Sequence, residues 1–194
     1  MEVIDTSIPE VKIISPGIHR DLRGYFYESY NEKEFCQKVF DTHFVQDNQS
    51  MSKKGVIRGM HWQLPPYAQA KLVRCVRGKI FDVAVDIRKG SPTFMKYVCI
   101  ELSEENNLQF FIPRGFAHGF VALTDNAIFQ YKCDNYYNKE SERSFRYDSL
   151  DIPWPEVGEA LQSEKDFAGK TAAGLSDDDI FDYWNINHYK TDKI

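Results

Sequence analysis

Two of the five histidines stand in segments whose spacing could support catalysis. His61 lies in the run Gly55-Val-Ile-Arg-Gly-Met-His61-Trp-Gln63, and His118 ends the run Pro113-Arg-Gly-Phe-Ala-His118. An imidazole with its ordinary pKa of about 6.5 can exchange a proton or bind a metal ion near neutral pH. Both segments are therefore candidates for an acid–base site or for a metal site.

The neighbouring residues argue against the metal site. The spacing of glycine, proline and histidine is similar to the two metal motifs of cupin barrels, in which a second histidine and a glutamate follow the first histidine. Gln63 stands in place of that second histidine, and Leu64–Gln69 contains no glutamate. A first-row metal ion needs a fuller set of nitrogen and oxygen ligands than two histidines supply. The sequence predicts a cupin-type site without metal that performs acid–base chemistry.

Further runs resemble one family along most of the chain. They are Asp21–Glu28, Phe44–Asn48, Arg58–Gln63, Ala70–Cys75, Phe81–Arg88, Ser91–Thr93, Ile112–Phe120, Tyr131-Lys132 and Asn135–Tyr137. In this order they resemble the dTDP-4-dehydrorhamnose 3,5-epimerase family, from about Val3 to Asp166 and without a large gap. The resemblance implies a cupin-type jelly roll that acts on nucleotide-linked 4-keto-6-deoxyhexoses.

The resemblance also implies a reaction that needs no cofactor. A ketone at C4 acidifies the protons on C3 and C5, so a base can remove one of them and leave an enolate. Reprotonation from the opposite face inverts that carbon. Such a site needs a base, an acid on the other face, and positive charge beside the developing oxyanion.

Four residues match the family's catalytic positions. His61 matches the base, and Asp166 matches the carboxylate that pairs with it. Tyr131 matches the residue proposed as the acid, and Lys71 matches the lysine beside the enolate oxygen. Each also has a plain structural alternative: a core histidine, a helix-capping carboxylate, a packed tyrosine and a solvated lysine at a strand end.

The resemblance implies a binding set for the nucleotide and the sugar as well. Its members are Arg23, Phe26, Glu28, Gln46, Asn48, Arg58, His118 and Tyr137. An arginine fork suits two phosphate oxygens, and Phe26 could stack on the base. In the family the N-terminal strands help to form a homodimer. We therefore expect a homodimer, and which subunit's site these N-terminal residues serve stays open.

Short runs rich in β-branched and aromatic residues must position these side chains, and they predict a mainly β fold. The predicted strands are Val11–Ile14, Gly24–Tyr30, Phe44–Ser50, Val56–Gln63, Lys71–Arg77, Lys79–Arg88, Met95–Leu102, Leu108–Ile112, Gly119–Leu123 and Ala127–Cys133. This spacing is typical of a sandwich or barrel. In Lys79–Arg88, Asp82 and Asp86 alternate with apolar residues, which suits a partly polar cavity or, equally, a solvated face.

Helices are predicted to be few, short and mostly C-terminal. A helix is expected over Asn31–Phe40, and Ser163 and Ser176 are both followed by acids typical of a first helical turn. We expect one cupin-type jelly-roll domain over 1–194, with a core at about 3–170 and a C-terminal extension at 171–194. Ile180, Phe181, Tyr183 and Trp184 are available to dock this extension on another surface.

Charge and composition exclude several classes of function. The chain has 24 Lys+Arg against 29 Asp+Glu and a net charge of −5, which argues against general binding to nucleic acid or an anionic membrane. The four cysteines form no C-x-x-C pair, and neither a signal peptide nor a membrane span is evident. The expected location is the cytoplasm.

Alternatives remain at two levels. A metal-dependent cupin oxygenase and a non-catalytic sugar-nucleotide binding module are the other classes. Within the family, an enzyme that inverts one centre or uses another nucleotide also fits. Trp62, the Leu64–Tyr67 loop and Arg114 depart from the family pattern, although none of them belongs to the predicted acid–base set.

Overall fold

The computed structural model describes residues 1–184 and consists mostly of β-strands. The strands are β1 (Glu2–Asp5), β2 (Lys12–Ser15), β3 (His19–Asp21), β4 (Gly24–Phe26), β5 (Gln46–Ser52), β6 (Ile57–Gln63), β7 (Lys71–Arg77), β8 (Lys79–Asp86), β9 (Arg88–Lys89), β10 (Tyr97–Ser103), β11 (Gln109–Ile112), β12 (Phe116–Ala122), β13 (Ala127–Cys133), β14 (Glu142–Ser144) and β15 (Phe181–Asp182). The described α-helices are α1 (Glu32–Lys38) and α2 (Glu164–Phe167), with short 3₁₀-helices at Tyr147–Ser149, Ala172–Gly174 and Asp177–Asp179.

Two antiparallel sheets pack face to face. One sheet has the order β1-β2-β11-β7-β13-β5, and the other has the order β10-β8-β12-β6-β14. Apolar side chains from both sheets fill the space between them, among them Val73, Phe110 and Phe129 from the first sheet and Ile80, Ala84 and Phe120 from the second. The result is a jelly-roll sandwich with open sheet edges, which confirms the predicted fold class.

Further layers cover the outer faces of the two sheets. On the six-stranded sheet, α1 buries Phe35 against Phe111, with ring centroids 5.4 Å apart. On the five-stranded sheet, the C-terminal segment buries Ala172 and Phe181 in a cluster with Trp62. Both faces of β8 are thereby buried, and its mixed face, which carries Asp82, looks into the space between the sheets. The solvated-face alternative for that strand is therefore wrong, because Asp82 is fully buried.

Most predicted elements lie within a few residues of the observed ones. β7 and β13 begin and end where the sequence predicts, whereas the predicted strand Gly24–Tyr30 ends at Phe26. In α1, Asn31 Oδ1 accepts a hydrogen bond from Glu34 N at 3.1 Å and caps the helix as expected. The helix starts expected at Ser163 and Ser176 lead only to the four-residue α2 and to a 3₁₀ turn. These segments have no continuous apolar stripe that would support a longer helix.

Part of the expected C-terminal extension lies outside the described residues. Its residues 171–184 pack on the core, and 185–194 are not described. Within residues 1–184, no helix has the length and apolar character needed to span a bilayer. All four cysteines are unpaired, and Cys75 and Cys133 are buried.

Candidate active site

A cavity of about 580 Å³ opens between the two sheets. Strands β5, β6, β7, β12 and β13 and the segment 161–166 form its walls. Predicted site residues that line it are Asn48, Arg58, His61, Lys71, His118, Tyr131 and Asp166. The whole predicted catalytic set is therefore gathered in one cavity.

His61 and Asp166 form a close pair at one side of the cavity. His61 Nε2 lies 2.5 Å from Asp166 Oδ1, although 105 residues separate them in the chain. The Asp166 side chain is 6% exposed and that of His61 is 30% exposed. Burial is the largest single influence and opposes the carboxylate charge, but the hydrogen bond and charge of His61, together with Ser163 and Lys165, lower the pKa of Asp166. With Nε2 engaged, Nδ1 is the ring nitrogen left for proton transfer.

Residue Asp166 also occupies the N-terminal turn of α2, where the sequence suggested a capping role. Ser163 Oγ accepts the Asp166 N–H at 3.2 Å, so the serine provides the cap. The Asp166 carboxylate is used on His61 instead. The pairing alternative thus agrees with the geometry better than the capping alternative does.

A second histidine–carboxylate pair lies deeper in the cavity wall. His118 Nε2 is 2.9 Å and 3.1 Å from the two carboxylate oxygens of Asp82, and both residues are buried. Burial lowers the pKa of His118 and raises that of Asp82, so both groups are driven toward their neutral forms. Asp82 was not predicted as a site residue. Its signal was a carboxylate on the mixed face of an otherwise apolar strand.

Two glycines bring the histidine-bearing strands together. His118 on β12 is the register partner of His61 on β6, and the pairing shifts between His118 and Phe120. Gly59 has φ +122°, and a Cβ placed there would lie 2.5 Å from Gly119 Cα. A side chain at Gly59 would therefore force the two strands apart and separate the histidines.

The opposite wall carries Lys71 and Tyr131. These residues lie on the neighbouring strands β7 and β13 of the six-stranded sheet, whereas His61 belongs to the five-stranded sheet. Tyr131 packs on Phe129, whose ring is also stacked 5.9 Å from that of His118. Desolvation raises the pKa of Tyr131 and lowers that of Lys71. Tyr131 therefore stays protonated at neutral pH and is able to donate a proton.

Polar groups at the cavity rim could receive a nucleotide. Arg58 points its guanidinium toward Ser52 Oγ, with Nε at 3.2 Å. Asn48 Oδ1 accepts a hydrogen bond from Gln46 Nε2 at 3.0 Å, and Gln46 Oε1 accepts one from Tyr137 N at 3.1 Å. Gln46 and Tyr137 do not line the cavity. They are connected to it by this chain of hydrogen bonds, which ends at Asn48 in the cavity wall.

Another rim contact was missed by the sequence analysis. Lys165, next to Asp166, lines the cavity and forms an ion pair with Glu142 Oε2. The same oxygen accepts a hydrogen bond from Tyr137 Oη at 3.0 Å. Glu142 lies on the short edge strand β14, which the sequence analysis did not predict. Without that strand, the ion pair between Glu142 and Lys165 could not be predicted.

Arg23, Phe26 and Glu28 do not reach this cavity within one chain. Arg23 and Phe26 belong to the β3–β4 hairpin, where Arg23 pairs with Asp21 and Phe26 is 70% exposed. Phe26 and Glu28 line a separate cavity of about 320 Å³.

Gln63, which stands in place of the second histidine of the cupin metal motif, hydrogen-bonds to neighbouring protein groups. Gln63 Nε2 donates to Tyr67 O at 2.6 Å, and Gln63 Oε1 accepts from Asn138 N at 2.7 Å. Across the part of the chain that the structure describes, no cluster of three or more His, Cys, Asp or Glu is arranged to hold a metal ion.

Fold and site together define a cupin-type jelly roll whose cavity carries paired acid–base residues. A family model described as dTDP-4-dehydrorhamnose 3,5-epimerase matches residues 5–173. The chain belongs to the dTDP-4-dehydrorhamnose 3,5-epimerase family, which makes it an isomerase. The resemblance noted in the sequence is confirmed.

Named relatives agree with this assignment. The dTDP-4-dehydrorhamnose 3,5-epimerase of Shigella flexneri is 54% identical over 173 residues, which cover 88% of this chain and 95% of the relative. A crystal structure of dTDP-6-deoxy-D-glucose-3,5-epimerase from Legionella pneumophila, in complex with dTDP-4-keto-L-rhamnose, is 47% identical with a TM-score of 0.91 and covers 94% of this chain and 98% of that chain. A 3′-monoepimerase from Streptomyces bikiniensis, in complex with dTDP-quinovose, is 33% identical with a TM-score of 0.88 and covers 95% of each chain.

Proposed function

We propose that this protein converts dTDP-4-dehydro-6-deoxy-D-glucose to dTDP-4-dehydro-L-rhamnose by inverting C3 and C5 of the sugar. One observation carries the proposal. A histidine–carboxylate pair and a protonated tyrosine lie on opposing sheets of one cavity. Inversion requires that the proton leave one face of the carbon and return to the other, so the base and the acid must lie on opposite sides of the sugar ring.

In the proposed reaction, His61 Nδ1 removes the proton from the carbon next to the ketone. The electrons of the C–H bond move into an enolate, and the negative charge collects on the oxygen at C4. Asp166 holds the ring through Nε2 and stabilises the imidazolium that forms. Tyr131 then gives its proton to the opposite face of the same carbon. Solvent returns a proton to Tyr131 and accepts one from His61, so both residues regain their starting states.

Cationic groups support the charged parts of the substrate. The Lys71 ammonium is proposed to stabilise the enolate oxygen, where charge appears only during the reaction. Arg58 is proposed to bind the diphosphate, since its fork can meet two phosphate oxygens at once. Asn48, with Gln46 and Tyr137 behind it, is proposed to contact the base or the sugar, and His118 is proposed to support the sugar end.

An NMR time course in D₂O tests the proposal. Deuterium at both C3 and C5 of the product is the expected result, because each carbon passes through an enolate that receives its new proton from Tyr131, whose hydroxyl exchanges with solvent. Label at one centre would indicate a single-centre enzyme, as the relative named 3′-monoepimerase is described. No exchange at either centre would refute the enzyme proposal. His61→Ala should abolish turnover while dTDP still binds.

A homodimer and a cytoplasmic location are part of the same proposal. The β3–β4 hairpin exposes Phe26 and the fully exposed Leu22, which supports a second copy that covers it. Arg23, Phe26 and Glu28 would then serve the partner's cavity. Unpaired cysteines support a reducing compartment.

Mixing two impaired variants tests the shared site. At substrate concentrations well below KM, Phe26→Ala is expected to retain about a tenth of wild-type activity. If the hairpin serves the partner, His61→Ala and Phe26→Ala chains mixed and allowed to exchange should reach about a quarter of wild-type activity. This follows because half of the dimers are mixed and each mixed dimer has one intact site. No recovery, in a mixture shown to contain mixed dimers, would contradict the shared site.

A further inference from the structure

Residues beyond the family model's match pack on the outer face of the sheet that carries His61. The match ends at residue 173. After it, the chain forms the 3₁₀-helix Asp177–Asp179 and then β15, which pairs in parallel with β9. Phe181 is 3% exposed and belongs to the cluster that contains Trp62. The segment is therefore packed on the outer face of the sheet that carries His61.

Asp179 makes contacts through both its side chain and its backbone carbonyl. Its Oδ2 accepts hydrogen bonds from Lys170 Nζ at 2.6 Å, from Ser176 N at 2.9 Å and from Ser176 Oγ at 2.8 Å. Its Oδ1 lies 3.7 Å from Arg143 Nε. Its backbone carbonyl accepts the Trp62 indole N–H at 2.8 Å. Side chain and carbonyl thus contact different parts of the core.

These contacts flank the two members of the proposed catalytic pair. Trp62 follows His61 directly on β6, and Lys170 lies four residues after Asp166. The backbone of Lys170 is itself held, because its carbonyl accepts the Arg146 N–H at 2.8 Å. One residue outside the family core therefore holds both the strand that carries His61 and the segment that carries Asp166.

The Asp166 segment requires such support. Helix α2 has only four residues, and a single helical turn is not stable by itself. Upstream it is attached through Leu161, whose carbonyl accepts the Ile57 N–H at 2.8 Å. Downstream, the contacts of Lys170 with Arg146 and Asp179 provide the corresponding attachment.

We propose that Asp179 is a positioning residue that sets the distance between His61 and Asp166. This inference rests on the proposed function, in which that pair transfers the proton. Asp179 keeps its charge at all working pH values: burial opposes the charge, but the hydrogen bonds from Lys170 and Ser176 lower its pKa to about 2. Its ion pair with Lys170 is therefore constant and is not a pH switch.

Steady-state kinetics of Asp179→Ala, alone and combined with Asp166→Asn, test the proposal. Since a shift of about 1 Å in a catalytic group can cost up to a hundredfold in rate, we expect kcat to fall about tenfold while KM changes less than about twofold. In the Asp166→Asn background Asp179→Ala should not lower kcat any further, because the His61–Asp166 ion pair is already lost. The matched control is Asp177→Ala, which removes an exposed ion pair with Lys89 from the same 3₁₀-helix.

A purely structural role predicts a different pattern. Asp179→Ala would then lower Tm by the same amount in the wild-type and Asp166→Asn backgrounds and leave kcat per folded site unchanged. This result would overturn the proposal. If Asp179→Ala fails to fold, Trp62→Phe keeps an aromatic ring in place but removes the N–H donor. It should lower kcat with KM unchanged, and an unchanged kcat would again overturn the proposal.

A measurement without substrate separates this proposal from the proposed function. The proton shared by His61 Nε2 and Asp166 should give a low-field NMR signal in the free protein, as short charge-assisted hydrogen bonds do. Asp179→Ala should move this signal upfield, and Asp177→Ala should not. A signal that Asp179→Ala leaves in place refutes the positioning role. A wild-type protein that shows the signal but exchanges no substrate deuterium refutes the function alone.

Discussion

Replacing the Asp166 carboxylate by an amide, in Asp166→Asn, should remove most of the catalytic rate without unfolding the protein. The carboxylate is 6% exposed and lies 2.5 Å from His61 Nε2. At an effective dielectric constant of about 20, unit charges about 4 Å apart attract by about 4 kcal/mol. A charge-assisted hydrogen bond contributes about 1.5–3 kcal/mol net. Since about 1.4 kcal/mol corresponds to a factor of ten in rate, kcat should fall by about 10- to 10³-fold.

The assay for Asp166→Asn is the rate of deuterium incorporation into the sugar in D₂O, with dTDP affinity measured in parallel. Affinity for dTDP should stay within about twofold, because the lost interaction strengthens only as the imidazolium forms. Glu164→Gln is the matched control, since it makes the same chemical change at an exposed position of the same helical turn. If Asp166→Asn retains kcat within about threefold of the wild type, the pair does not carry the proton transfer and the reasoning is wrong.

Three further predictions concern the opposite wall of the cavity and the hairpin. Desolvation lowers the pKa of Lys71, so its ammonium loses its proton at a lower pH than that of an ordinary lysine. In a pH–rate profile kcat should therefore decline on the alkaline side, and Lys71→Arg should move that decline to higher pH. Tyr131→Phe should cut product formation by about 10²-fold or more while exchange at the carbon first deprotonated continues by NMR, and unchanged product formation would exclude Tyr131 as the acid. Phe26→Ala should raise the Kd for dTDP about tenfold by calorimetry, as loss of one stacked base does.

The strands of the sandwich were predictable because their residues alternate or form apolar runs bounded by turn residues. β7 and β13 were predicted to the residue because Gly78 and Asn126, both at positive φ, mark turns at Arg77 and before Ala127. β14 was missed because Glu-Arg-Ser has no apolar periodicity. It becomes a strand only because β6 offers it a free edge, and a tertiary cause of this kind leaves no local signal.

The site was predictable to the extent that its residues lie in distinctive runs. His61, Lys71 and Tyr131 meet in one cavity, as the resemblance implied, because the sandwich brings β6 against β7 and β13. Asp82 was not identified because a lone aspartate in a strand has many explanations until its partner is known, and its partner His118 lies 36 residues away. Asp179 had even less signal, since its contacts with Trp62 span 117 residues.

The same cavity explains why a cupin scaffold of this sequence favours proton transfer. In the metal motif that the sequence resembles, the side chains at these positions converge on an ion. Here the Gln63 amide bonds to the loop around Tyr67, His118 Nε2 is held by Asp82, and His61 Nε2 is held by Asp166. The donors that would bind a metal are thus engaged with protein partners. His61 keeps one nitrogen for the cavity, and a histidine fixed by a buried carboxylate through its other nitrogen is positioned to act as a base.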